Sequence, residues 1–548
     1  MSERTGSGSG SDRTKRSNTS GVEPHESRRR KEENLIGVRR QKRARLRYPT
    51  LTAIPKLLQS LCSEYPALES QITSHLNTLL ALDDQIPLID DVLKDVVLPR
   101  FVKFLDDEKE PQFQLEALWV LTNFAEASSK HTKVVLEVGV IPRIVSILKY
   151  NSEVEILEQA IYALGLIADY SPSYRDRALS NGSLRPLLSL VESLPGSSML
   201  IARTLCSLVQ GKPPVKNALP VLQKLIHTAN EEVVSDACWA LYHLSEGPED
   251  QIQAIIEAGV CPKLVELLQH SSVAVISPAL QTLGNIVTGD NAQKQIVVDN
   301  QVLPGLYQLL MRGNRKSIRI EACLAISNIT SGNEAQIEAV LKANIIPQLV
   351  QILQQDELDI KSEAAWAIYN ATAGGSHDNI RLLADQGCIK ALCDILTCPD
   401  LTVVSVSLEG LENILKVVGE AAKEMVCGCE GLDKIQNLLT LTMECDENED
   451  DENEDENEHE EKLEVFEIAH RILKTFWPEL GLEENELENP LDGSLPFEPC
   501  MAQDYFFVLK MWDTCLAYYQ KLLTGYMIIQ SVLLVKCLAF NGHSSMKC

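Results

Sequence analysis

A chain of 548 residues exceeds what one compact core usually organises, so several domains or a stacked array is expected. Only 5% of it is aromatic and its formal net charge is −27, an acidic balance that argues against nucleic acid as the main ligand, since phosphate neutralisation needs clustered Lys and Arg. No GxGxxG, P-loop, HExxH or nucleophile-elbow pattern stands out, which points away from an enzyme and from a cofactor.

Residues 1–25 are low in apolar content, have no apolar core of the kind a secretory leader needs, and are expected to be disordered. The segment 26–47 is basic, with Arg28, Arg29, Arg30 and Lys31, then Arg39, Arg40, Lys42 and Arg43, and Leu35, Ile36 and Val38 between the clusters. It reads as a basic helix or an extended double cluster. Residues 1–50 hold 14 Lys/Arg against 6 Asp/Glu, so a basic arm precedes an acidic body and suits an acidic surface, its own or a partner's.

From residue 50 to 480 one frame recurs: a proline opening an apolar helix, at Pro99, Pro142, Pro186, Pro220, Pro262, Pro304 and Pro347. The steps are 43, 44, 34, 42, 42 and 43 residues. A period of this size means a helical solenoid whose units stack because none can bury its own apolar face. Each unit reads as a short helix, a second opening at the proline and a longer third. The fifteen cysteines are scattered through these apolar stretches without zinc-ligand spacing, and free buried thiols are expected. Within the array, 13 of the 18 residues of Glu444–Glu461 are acidic, which predicts a solvated loop. Lys462–Trp477 recovers helical spacing. The tail 481–548 loses the pattern, and its longest uncharged run, Leu522–Val535, is short for a membrane span. A buried or interfacial helix is the expectation there, with no membrane partner.

The third helices carry the chemistry. Trp119 and Asn123 stand four apart, one turn from each other on one helix face, and Trp366 and Asn370 repeat the pair. A single Trp is ordinarily core and a single Asn ordinarily a cap, but recurrence at matching positions argues for a surface. An Asn carboxamide offers donor and acceptor to an extended backbone. Indole rings form slots for the methylene stems of Lys or Arg. Nearby carboxylates then select positive heads, so the expected ligand is an extended basic peptide.

Seven runs carry a resemblance to the importin-α family over residues 26–480: Val97–Val102, Trp119–Asn123, Asp236–Leu241, Gly284–Gly289, Ile326–Thr330, Glu363–Asn370 and Glu409–Leu415. The resemblance implies an all-α, right-handed superhelical armadillo-repeat solenoid that acts as a nuclear-import adaptor. It would carry cargo bearing Lys/Arg-rich nuclear localisation signals and bind importin-β through residues 26–47, which could also fold back as a mimic of cargo. It implies shuttling between cytoplasm and nucleus, and an export receptor gripping the last repeats. Of the family's major cargo site this chain keeps Trp119 and Asn123, with Thr132 near the lysine pocket. The next two pairs read Tyr162/Leu166 and Arg203/Ser207, which implies an impaired site. The minor site is better kept, in Asn285, Ser327, Asn328, Glu363, Trp366 and Asn370, although Leu324, Gln281 and His243 depart from the pattern. The rival reading is a divergent scaffold or regulatory decoy.

Overall fold

The computed structural model describes residues 98–106, 111–127, 129–211, 216–311, 313–443 and 456–480. The basic segment 26–47, the acidic residues 444–455 and the tail 481–548 lie outside them. The chain divides into one unit spanning Met1–Gly481 and a second spanning Leu482–Cys548, and all of the described residues belong to the first.

Among the described residues all regular structure is helical, and the helices come in threes. Glu334–Lys342, Ile346–Gln355 and Leu358–Gly374 form one such unit. Asn333 caps the first of these helices: its side chain accepts from the Gln336 N–H, and the Gln336 side chain accepts from the Asn333 N–H. Pro347 falls in the opening turn of the second, where a missing N–H leaves nothing unsatisfied. The third is lined by Ala364, Ala365, Ala367 and Ala371, all fully buried, and side chains this small allow close approach of neighbouring helices.

The corner between first and second helices needs a left-handed residue. Gly139, Gly182, Gly259 and Gly387 supply it at φ 82°, 77°, 73° and 88°, while Gln301, Asn344 and Glu430 take the same conformation at 63°, 57° and 61°. The unit of Pro220 lacks both corner and first helix among the described residues. After Ser198–Val209 a single 3-10 turn, Lys216–Ala218, leads directly into Leu219–Leu225. A missing helix accounts for the 34-residue step.

Each third helix packs against the third helices before and after it. Their shared seam is a spine of buried side chains in repeat register: Leu121, Leu164, Leu205, Leu241, Leu283, Ile326, Ile368 and Leu411. Each contributes roughly 1.5–3 kcal/mol by leaving water. Six of the cysteines, Cys206, Cys238, Cys261, Cys323, Cys388 and Cys393, are buried free thiols of the same core.

The solvated loop expected over 444–461 does not hold for its last residues. The final helix runs Glu456–Phe476 and so begins inside the acidic block. Val465, Ile468, Ala469, Ile472 and Leu473 bury its later turns, and glutamate, a good helix former, lets the helix extend back from that anchor. Arg471 locks it to the preceding unit by a two-pronged bond to Glu412, at 3.1 and 2.9 Å. Burial raises the Glu412 carboxyl, but the bonds from Arg471 and Lys416 outweigh it and hold the group below its usual range.

Gly259 isolates the backbone requirement of the corner, because a Cβ there meets nothing within 4 Å. Gly259→Ala should destabilise the array by about 1–2 kcal/mol through left-handed strain alone. Equilibrium urea melts check this, and an unchanged midpoint would remove the corner's role.

Candidate peptide-binding groove

The third helices align three rows of residues at one repeat per step. One row holds Trp119, Tyr162, Arg203, Trp239, Gln281, Leu324, Trp366 and Glu409. Four residues on from each stand Asn123, Leu166, Ser207, His243, Asn285, Asn328, Asn370 and Asn413. Three residues before, carboxylates recur at Glu116, Asp236, Glu321 and Glu363. Spacings of three and four put all three rows on one helix face.

Exposure separates the slots. Trp119 is 43% exposed and Leu324 38%, whereas Trp239 is only 9% exposed. Trp239 is packed by its own helix, with Tyr242 edge-on at 5.5 Å and His243 at 6.2 Å. Trp366 is half-buried, with Tyr369 edge-on at 5.8 Å.

The asparagines are held across repeats. The Asn285 side-chain NH2 donates to the Ser245 hydroxyl at 2.8 Å. Asn370 donates to the Ser327 carbonyl and hydroxyl at 3.1 and 3.2 Å, and Asn413 to the Thr372 hydroxyl at 3.3 Å. Each carboxamide is thereby fixed through its nitrogen, with its oxygen left to accept from an extended backbone. Ser327 is itself buried and acts through Asn370. Asn328 is half-buried in the same row. The Asn123 side chain lies outside the described residues. Thr132 is buried, its hydroxyl donating to the Ala125 carbonyl at 2.7 Å.

The two halves of the face differ in charge. Burial raises the Glu321 carboxyl, and a bond from Gln281 at 3.3 Å offsets this only in part. Burial also raises Glu363, and repulsion from Glu321 adds to it. Among the described residues no Lys or Arg forms an ion pair with either. Lys316, which lines the same hollow as Glu363, is already engaged by Glu357 and, at 2.7 Å, by Asp359. Further towards the N-terminus the polar groups face one another within the chain, Arg203 Nε and Asp236 Oδ2 as an ion-pair contact without a hydrogen bond. Arg203 Nε lies 3.7 Å from Asp236, Ser207 donates to the Arg203 carbonyl at 3.3 Å, and His243 contacts Gln210 at 3.3 Å and Glu246 at 3.2 Å.

Sequence reasoning missed Ser245, Thr372 and Asn413 in the clamp row and Glu321 and Asp236 in the acidic row. The signal was there: Glu321 precedes Glu363, and Thr372 precedes Asn413, by about one repeat.

Armadillo/beta-catenin-like repeats match residues 128–169, 212–246, 248–288, 290–331, 333–373 and 376–416, leaving out the stretch that holds Arg203 and Ser207. The chain is similar to importin subunit alpha-1b of Oryza sativa subsp. japonica, 44% identical over 78% of this chain and 80% of the relative. It is 46% identical to importin subunit alpha-4 of Arabidopsis thaliana over 84% of this chain and 90% of the relative. Among solved structures, a crystal structure of an engineered protein superposes with a TM-score of 0.63 at 25% identity, covering 76% of this chain and 98% of that one. With the helical triplets, the matched repeats and relatives of this identity and coverage together, the chain belongs to the importin-α family of armadillo-repeat proteins.

Proposed function

We propose that this chain is a nuclear-import adaptor that binds Lys/Arg-rich localisation signals mainly in the C-terminal half of its groove. Its relatives are named as importin-α subunits, which supports the adaptor role. One observation carries the placement: Asn285 and Asn370, braced across repeats, flank the half-buried carboxylates Glu321 and Glu363, which have no cation of their own among the described residues. An extended peptide with basic side chains supplies both what the carboxamides lack and what the carboxylates lack. Residues 26–47 link the loaded adaptor to importin-β, and an export receptor returns it from nucleus to cytoplasm. The chain binds and hands over; it does no chemistry. Arg203 and Ser207 in the N-terminal half favour the rival decoy reading, which predicts importin-β binding without cargo binding.

A fluorescent Lys/Arg-rich peptide titrated against the protein should bind at micromolar strength or tighter. Losing two backbone clamps in Asn328→Ala/Asn370→Ala, at about 1 kcal/mol each, should weaken it roughly 30-fold. Raising the salt should weaken it steeply. Flat salt dependence, or no binding at all, would leave the decoy.

Glu363 supplies a second check, with a sign fixed by its environment. A carboxyl raised in the folded state opposes folding once ionised, so its contribution worsens as pH rises above the ordinary value of 4.5. Glu363→Gln should therefore raise the Tm at neutral pH and leave it unchanged in acid, while weakening peptide binding about tenfold. Peptide affinity of the unaltered protein should fall as pH drops into the range where Glu321 and Glu363 protonate. Thermal melts and titrations at several pH values check both, and a lower Tm for the glutamine variant at pH 7 would contradict the electrostatic account.

A further inference from the structure

We propose that Arg203 is a resident cation that occupies the basic-side-chain site of the N-terminal half of the groove, restricting recognition to the C-terminal half. The inference rests on the peptide-binding reading above and names the residue that sets its specificity.

The repeat frame places Arg203 in the row where Trp119, Trp239 and Trp366 stand. Its guanidinium reaches forward one repeat, with Nε 3.7 Å from Asp236 Oδ2. Asp236 stands three residues before Trp239, as Glu363 does before Trp366 and Glu321 before Leu324. It is therefore this repeat's member of the acidic row. Glu321 and Glu363 have no ion-pair partner among the described residues, whereas Asp236 lies within ion-pair distance of Arg203.

Burial makes that pairing consequential. Asp236 is 2% exposed, and a buried carboxylate stripped of its counter-ion is strongly disfavoured. A peptide lysine can neutralise Asp236 only by displacing Arg203, which is tethered beside it at high effective concentration. The neighbouring clamp is gone as well. Ser207 is buried, and its hydroxyl is turned back onto the Arg203 carbonyl at 3.3 Å. Trp239, the slot beside Asp236, is covered by Tyr242 and His243 instead of standing open as Trp119 does. Charge, clamp and slot are each taken up within the chain at this one step of the array.

The test uses the full-length protein and a fluorescein-labelled peptide of alternating Lys and Arg, read by anisotropy. Asn328→Ala/Asn370→Ala weakens the C-terminal half and serves as the parent. Adding Arg203→Ala should restore binding at least tenfold relative to that parent, and the further change Asp236→Asn should abolish the gain. Millimolar methylguanidinium, which can re-enter the vacated place, should compete with the restored binding. Should Arg203→Ala fail to fold by circular dichroism, Arg203→Gln keeps most of the stem and removes the charge. A folded Arg203 variant that binds no more tightly than its parent overturns the proposal, and so does a gain that survives Asp236→Asn. Failure of the adaptor reading shows separately, as an unaltered chain that does not bind the peptide.

Discussion

Packing of each long third helix between its two neighbours is the constraint from which the rest of this molecule follows. No unit encloses a core, so the apolar side chains of one become buried only when the next is laid against it. The Leu121-to-Leu411 spine records this, as one buried branched side chain per unit in the same place each time. Such a spine demands constant helix spacing. In the units whose first helix is described, the same turn joins it to the second. That turn is left-handed even where Gln301, Asn344 or Glu430 must adopt it.

Regular stacking also turns a sequence period into a surface. Residues of one type, a repeat apart, become a row, and the chain differentiates its two halves by what it puts in that row. Near Arg203 the row is internally neutral: guanidinium meets carboxylate and imidazole meets amide. Near Glu363 it is left unbalanced, with both carboxyls raised by burial and Glu363 raised further by repulsion from Glu321. An imbalance of this kind is costly to the fold and useful to a ligand. Arg203 and Ser207 lie in a stretch the armadillo/beta-catenin-like repeat leaves unmatched, whereas Asp236, Trp239 and His243 lie within a matched one.

Much of this was legible from residues alone, because solenoid periodicity is written in local signals. The prolines opened second helices, and the Trp/Asn spacing fell on one face of the third. What stayed hidden depended on neighbours in space. The 34-residue step announced a shortened unit, but not that its first helix was the part missing. Retention of Trp239 did not reveal that Tyr242 and His243 cover it, since identity fixes a ring but not its exposure. The acidic block suggested repulsion throughout, yet helix Glu456–Phe476 starts within it because its far end is buried and clamped by Glu412 and Arg471. Ser245 and Thr372, which brace Asn285 and Asn413, looked unremarkable, their partners lying some forty residues away.

Those braces have a consequence for how such arrays change over time. Asn285 depends on Ser245, Asn370 on Ser327 and Asn413 on Thr372, so each of these three clamps is owned jointly by two adjoining units. The reading element is the joint, and an array has one fewer joint than units. A duplicated unit inserted anywhere in the series brings a working joint with it, because its hydroxyl and its carboxamide face matching neighbours. A unit excised cleanly lets the flanking halves close into a new joint of the same kind. Peptide length can thus be adjusted by whole steps without inventing a contact, while a lone unit transplanted elsewhere would carry half of two clamps and all of none.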